Sequence, residues 1–373
     1  MNMFRFSSAL AFAVTAGSVA LAQVQTVNTA TGAIKVENVA GGLEHPWGMA
    51  FLPDGRMLVT ELPGDLVIVS PDGTVSPPIQ GTPEVFAQGQ GGLMDVALDP
   101  DFAENQRVYL SFAQPGDGNT AGTALGHGRL VDDRIEDFEV IFEQEPKVDG
   151  GNHFGNRIIF SPQGQIYLAL GERFKFEPAQ DLSSHLGTIV RLNQDGSIPQ
   201  DNPFVGQENA KDAIWSYGHR NIEAAAIHPD TGDLWVAEMG PMGGDELNPI
   251  MSGANYGWPV VSWGQHYSGE PIPDPPSQPD FADAVHHWTP VISPSGMIFY
   301  DGSLFPEWQG DAFIGGLSSR ELVRVELDSA EFVSEERIPL GARIREVEQG
   351  PDGAIYVLTD QSDGNVWRIS PLE

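Results

Sequence analysis

The 373-residue chain contains no cysteine. That excludes disulfides, thiolate metal sites, iron–sulfur clusters and a cysteine nucleophile. Basic residues are scarce: 19 Lys and Arg face 52 Asp and Glu, giving a net charge of −33. Such a balance repels a nucleic-acid backbone and an anionic lipid surface alike, so neither is expected as a partner. Beyond the first 22 residues no apolar run approaches the roughly 20 residues that span a bilayer. No P-loop, His-Glu-x-x-His, Gly-x-Ser-x-Gly or EF-hand pattern occurs, and Gly89-Gln-Gly-Gly92 opens no convincing helix. Long helical periodicity is also missing.

What is present is a large apolar fraction, 40%, spread along the chain, together with 43 Gly and 29 Pro. A sizeable core is therefore available, and disorder is a poor reading of the charge. Residues 1–22 carry one charge, Arg5, then an apolar run from Ala9 to Val19, and end in Ala20-Leu21-Ala22. This reads as a secretory signal peptide with cleavage before Gln23. The expectation is a soluble, exported, periplasmic protein comprising residues 23–373 as one domain.

Strand-like stretches bounded by Gly, Pro, Asp and Asn dominate: Met57–Glu61, Leu66–Val69, Val108–Phe112, Ile166–Leu170, Leu234–Glu238, Leu322–Leu327 and Ile355–Thr359. A unit recurs, consisting of an apolar run, a Pro-Asp-Gly-like turn and a strand. Copies begin at Gly48, Met94, Arg157, Ala224, Gly296 and Arg345, the fifth with its second strand delayed to Asp311–Gly315. Proline presets φ at a turn's first central position and glycine accepts positive φ, so each unit is an antiparallel hairpin. Six units at blade-like spacing, each blade needing about 40–50 residues, predict an all-β, six-bladed β-propeller. Excess length falls between Phe112 and Asn152, Glu172 and Ile214, and Met239 and Ser295, where site-building loops are expected.

Polar clusters stand at the starts of these units. His153 lies in Gly151-Asn-His-Phe-Gly-Asn-Arg157, with the ordinary pKa of a general base. Arg220 in Tyr217-Gly-His-Arg-Asn221 is a candidate for stabilising negative charge. Arg343 and Arg345, two apart on a strand, face one side and suit a polyanion; salt bridges to the abundant carboxylates are the competing reading. Met239–Asn248 frees backbone carbonyls and supplies Asp245 and Glu246, a calcium-like donor set.

Together these residues resemble a known family, the pyrroloquinoline quinone (PQQ)-dependent soluble aldose sugar dehydrogenases, relatives of soluble quinoprotein glucose dehydrogenase. The motifs are His45-Pro-Trp-Gly48, Gly89-Gln-Gly-Gly-Leu-Met-Asp95, Gly151–Arg157, Ile214–Asn221, Gly240–Glu246, Asn255-Tyr-Gly-Trp-Pro259 and Arg343-Ile-Arg345, in family order across the mature chain. The resemblance implies oxidation of an aldose at the anomeric carbon to a lactone, with hydride passing to PQQ. It implies His153 as general base and Arg220 beside the quinone oxygen as the catalytic pair. Gln90, Asn152, Asn221, Arg343 and Arg345 would contact the cofactor. Carbonyls of Gly240 and Pro241 would hold a PQQ-associated Ca²⁺, and Glu246 with the carbonyl of Tyr256 a structural one. An external electron acceptor completes the scheme.

Three positions depart from the family pattern. Asn152 stands where the glucose enzyme has Asp, which favours the broader aldose branch. Glu223 replaces a cofactor-contacting Gln, and a carboxylate there repels a tricarboxylate unless protonated or turned away. A cofactor-contacting Lys is missing, with Arg320 nearby as a stand-in. These two changes motivate an alternative, a propeller that binds ligand without catalysis or with an altered cofactor. A calcium-dependent hydrolase is a third, weaker reading. Trp263, Tyr267, His286, His287 and Trp288 are candidate walls of a sugar site.

Overall fold

The computed structural model describes residues 24–372, so the segment read as a signal peptide, residues 1–22, lies outside them. The strands form six antiparallel sheets around a central axis, as the repeats predicted. The first blade has three strands, Pro46–Phe51, Met57–Glu61 and Leu66–Val69. The next four begin at Leu93, Gly155, Ile222 and Pro294 and step outward strand by strand. The last blade joins Ile344–Gln349, Ile355–Thr359 and Gly364–Pro371 to two strands from the other end of the chain, Gly32–Leu43 and Val24–Thr29. Gly32–Leu43 pairs antiparallel with Gly364–Pro371, Val36 opposite Ile369, and this closes the ring. Among the described residues no helix is long and apolar enough to cross a membrane.

Each recurring hairpin is the inner half of a blade. The turn chemistry is as read: the N–H of Gly55 returns to the carbonyl of Leu52, and that of Gly164 to Ser161. Neighbouring blades share cores. Leu58 and Ile68 of the first blade pack with Val96 and Leu110 of the second. Phe313 and Leu322 of the fifth pack with Ile344 and Val347 of the sixth. Each such side chain, fully buried, contributes about 1.5–3 kcal/mol.

Where sequence reasoning misplaced length, the reason is physical. Most of the segment 112–152 is strand: Thr120–Val131 and Arg134–Glu143 extend the second blade outward. The other two long segments contain blade strands as well, and they supply Phe174, Phe176, Trp258 and Tyr267 to a cavity at one end of the ring.

All six innermost hairpins share one irregularity. The register slips between Pro46 and Met49, Leu93 and Val96, Gly155 and Ile158, Ile222 and Ala224, Ser295 and Met297, and Ile344 and Glu346. A bulge re-aims a side chain toward what lies beside it. Here the slips carry Trp47, Asp95, Arg157, Glu223, Gly296 and Arg345 toward the axis. Gly296 has φ +60°, and a Cβ there would sit 2.6 Å from Glu346 Oε1, so only glycine fits.

These residues close the centre. Arg157 donates to Asp95, to Glu346 and to the carbonyl of Glu223, and its guanidinium lies 4.6 Å from the Trp47 ring centroid. A cavity of about 490 Å³ lies between the inner strands, lined by Asp95, Arg157, Glu346 and Glu348 among others. Burial, Glu346 and Asp95 together push the Glu348 carboxyl well above the ordinary range.

Candidate active site

The inner strands begin at Pro46, Leu93, Gly155, Ile222, Pro294 and Ile344, all at one end of the ring. His45, Gln90, His153, Arg220, Asn221 and Arg343 stand at or just before these starts, so the topology gathers them at that end. A cavity of about 280 Å³ opens there, lined by Phe174, Phe176, Arg220, Pro241, Trp258, His266, Tyr267 and Glu270.

His153 is buried and held in a left-handed backbone conformation, φ 52°. Its N–H donates to Gln90 Oε1 at 2.6 Å, and its Nδ1 lies 2.5 Å from Glu172 Oε1. An ionised carboxylate only accepts, so Nδ1 carries the proton and Nε2 keeps its lone pair. Burial pushes the imidazole below its ordinary pKa; Glu172 opposes this and Arg220 adds to it. The ring is therefore neutral at pH 7, the state a base needs.

Sequence reasoning missed Glu172 and its neighbour. Glu172 Oε2 accepts the N–H of Phe176 at 2.8 Å and that of Lys175. It thereby pins a turn in which Arg173, Phe174 and Phe176 all have positive φ. The Phe174 ring meets His153 edge-on, centroids 5.1 Å apart. Arg173 is buried with its guanidinium 3.6 Å from the Phe154 centroid, and it donates to the carbonyls of Asn152, Ala121 and Gly150. Burial lowers its pKa to about 10. A charged pair closing an apolar strand at the same end as His153 was the available signal.

Arg220 is buried and aimed by backbone oxygens: Nη1 donates to the carbonyls of Met239 and Gly240 at 2.9 and 2.8 Å. Its Nη2 donates to the Tyr267 hydroxyl at 3.1 Å. Its Nε is buried with no partner. Such a donor costs about 1–3 kcal/mol unless an acceptor arrives.

Deeper in, Arg345 pairs with Glu223 and, at 2.8 Å, with Asp360. Arg343 reaches the same Asp360 oxygen at 3.0 Å, and His45 Nδ1 the other at 3.0 Å. Burial alone would raise the Asp360 carboxyl, but Arg345, His45 and Arg343 hold it far below the ordinary range. The two arginines converge as expected, for a different reason. Arg343 precedes the strand and the bulge breaks alternation at Arg345; Asp360 brings them together. Asn221 is buried, accepting from the Gly155 N–H at 3.1 Å and donating to Glu223 at 3.0 Å. Asn152 and Arg320 are exposed and make no side-chain hydrogen bond among the described residues. Of the candidate wall residues only Tyr267 lines the cavity. His287 stacks on Trp263, centroids 4.2 Å apart, and His286 on Phe332 at 3.9 Å, away from it.

The donor set proposed for metals can be tested for fit. Pro241 lines the cavity, and the Gly240 carbonyl beside it receives Arg220. Glu238 and Glu246 are directly opposed across two strands and line a small void with Tyr256. The void measures about 10 Å³, near the minimum for one water-sized body. Burial and the Glu238 charge push Glu246 up to about 8. Asn248 Oδ1 nearby is a buried acceptor without a partner. Two buried carboxylates and an orphaned amide oxygen fit a hard cation. For an anionic cofactor the orphaned Arg220 Nε fits likewise, whereas Arg343 and Arg345 are already paired with Asp360 and Glu223.

Residues 43–368 match the model of the Glucose / Sorbosone dehydrogenase family. The chain belongs to that family. It is 43% identical over 349 residues to the aldose sugar dehydrogenase YliI of Escherichia coli (strain K12), covering 92% of this chain and 94% of that one. A crystal structure of glucose dehydrogenase superposes with TM-score 0.87 at 48% identity, covering 89% of this chain and 98% of its own. The PQQ-bound aldose sugar dehydrogenase of Streptomyces coelicolor does so with TM-score 0.76 at 27% identity, covering 92% and 100%. Family membership accounts for the fold and for the order of the motifs along it.

Proposed function

We propose that the protein is a PQQ-dependent aldose dehydrogenase that oxidises its sugar at the anomeric carbon to a lactone, after export to the periplasm. The observation that carries this reading is that a neutral, carboxylate-held His153 stands at the same end of the ring as buried Arg220, where Phe174, edge-on to His153, and Arg220 line one aromatic cavity. When bound, PQQ supplies a two-electron acceptor for the hydride. His153 Nε2 takes the proton of the anomeric hydroxyl, and Glu172 fixes the tautomer that makes this possible. Arg220 presents its donors where negative charge grows, in an open cavity walled by Phe174, Trp258 and Tyr267. Aromatic faces suit the apolar side of a pyranose ring. Arg343 and Arg345 would hold carboxylates, with Gln90, Asn152 and Asn221 nearby. Gly240 and Pro241 would offer carbonyls to one Ca²⁺, and Glu246 with Tyr256 the ligands of another. Electrons leave to an external acceptor.

Reconstitution tests the proposal. Purified protein receives PQQ and Ca²⁺, then an aldose and a reducible dye. Dye reduction that requires PQQ and falls by about 10²–10⁴ in His153→Ala is expected. Folded protein that binds no PQQ at micromolar concentration refutes it and favours a binding propeller.

A further inference from the structure

Glu223 is a carboxylate with no evident place in a site for an anion. It sits on the bulge of the fourth blade's inner strand, buried, with Oε1 accepting from Asn221 and Oε2 paired with Arg345. Arg345 also pairs with Asp360 at 2.8 Å, which in turn holds Arg343 and His45. Two arginines thus face two internal carboxylates, and the local positive charge is already neutralised. The two carboxylates are not equivalent. Asp360 is bonded by Arg343, Arg345 and His45, whereas among the described residues the only cation hydrogen-bonded to the Glu223 carboxylate is Arg345. The Glu223–Arg345 pair is therefore the one an incoming anion opens first, since Arg345 keeps Asp360 when it does.

We propose that Glu223 is a built-in competitor for the cofactor: it holds Arg345 while the protein is cofactor-free and yields it to a ligand carboxylate on binding. The inference rests on PQQ being the cofactor. It assigns Glu223 two effects of opposite sign. The carboxylate stabilises the empty protein, because a buried guanidinium keeps a second partner. It also weakens tricarboxylate binding, because its charge must be displaced and then lies beside the ligand.

The experiment uses the full cofactor-free chain with Ca²⁺ and titrates PQQ by calorimetry, alongside thermal unfolding. Glu223→Gln keeps the shape and the acceptor for Asn221. Its Kd is expected to tighten at least tenfold while the cofactor-free Tm falls by several degrees. A control that removes one distant charge, Glu139→Gln, leaves Kd within twofold. Glu223→Asp keeps the charge but falls a methylene short of Arg345, and its Kd lies between the other two; it also serves if the Gln variant fails to fold. Equal Kd across Glu, Asp and Gln, or a weaker one in Gln, overturns the inference while leaving the cofactor assignment intact. Absence of PQQ binding in all forms overturns both.

Discussion

Glu172→Gln separates a positioned base from a merely buried histidine. The carboxylate has two jobs on its two oxygens, His153 Nδ1 at 2.5 Å and the backbone N–H groups of Lys175 and Phe176. An amide cannot do both. If its oxygen stays with the backbone, its NH₂ faces Nδ1, which must then accept, and the proton moves to Nε2, where it blocks the base. If its oxygen faces His153, the NH₂ opposes two N–H donors and the turn of positive-φ residues loosens. The correct state then lacks one hydrogen bond to a charged group, about 1.5–3 kcal/mol. At about 1.36 kcal/mol per decade this is a roughly 10- to 150-fold loss in kcat. Glu172 also holds the His153 pKa up against burial, so the acid limb of kcat/KM should move to lower pH in the variant. The assay is dye reduction by the reconstituted enzyme from pH 4 to 8, with folding checked by thermal unfolding. An unchanged kcat with an unmoved limb would refute the positioning role; a lower Tm alone would leave Glu172 structural.

Other outcomes follow from buried charge. Arg157→Met removes the partner shared by Asp95 and Glu346 at the centre of the ring and should cost about 3–5 kcal/mol in denaturant unfolding at pH 7. His185 is buried, its Nδ1 accepting the Glu145 N–H at 3.1 Å, and burial with the Lys211 charge pushes it down to about 4. Its folded value lies below the unfolded one of about 6.5, so its contribution is complete above that pH and is lost as pH falls toward 4, about 3 kcal/mol in all. His185→Gln should flatten that part of the stability–pH curve. Ca²⁺ at about 100 times its Kd should stabilise the cofactor-free protein by about 2.7 kcal/mol, and Glu246→Gln should abolish the response to chelator.

The inner hairpins were legible because turn chemistry is local: Met57–Glu61, Leu234–Glu238 and Ile355–Thr359 need only Pro, Asp and Gly beside an apolar run. The site residues were legible because each stands where such a hairpin begins. Three things were not. The outer strands of the second blade lack strong punctuation and read as loop. The bulges insert a residue without any signature in composition, so the inward turn of Asp95, Glu223 and Arg345 had no local cause to read. Glu172 was read as the end of a strand; its bonds run to His153, nineteen residues away in sequence, and to a turn whose backbone no propensity predicts.

The closing strand has a consequence for how the molecule is made. Gly364–Pro371 is bonded on one side to Ile355–Thr359 and on the other to Gly32–Leu43. The edge of Gly32–Leu43 therefore stays unpaired until Gly364–Pro371 has been synthesised. A truncation of ten residues at the C-terminus would remove the link between both ends and leave an open arc of blades with two bare sheet edges. Closure is therefore late: the ring locks only once both ends of the described chain can pair.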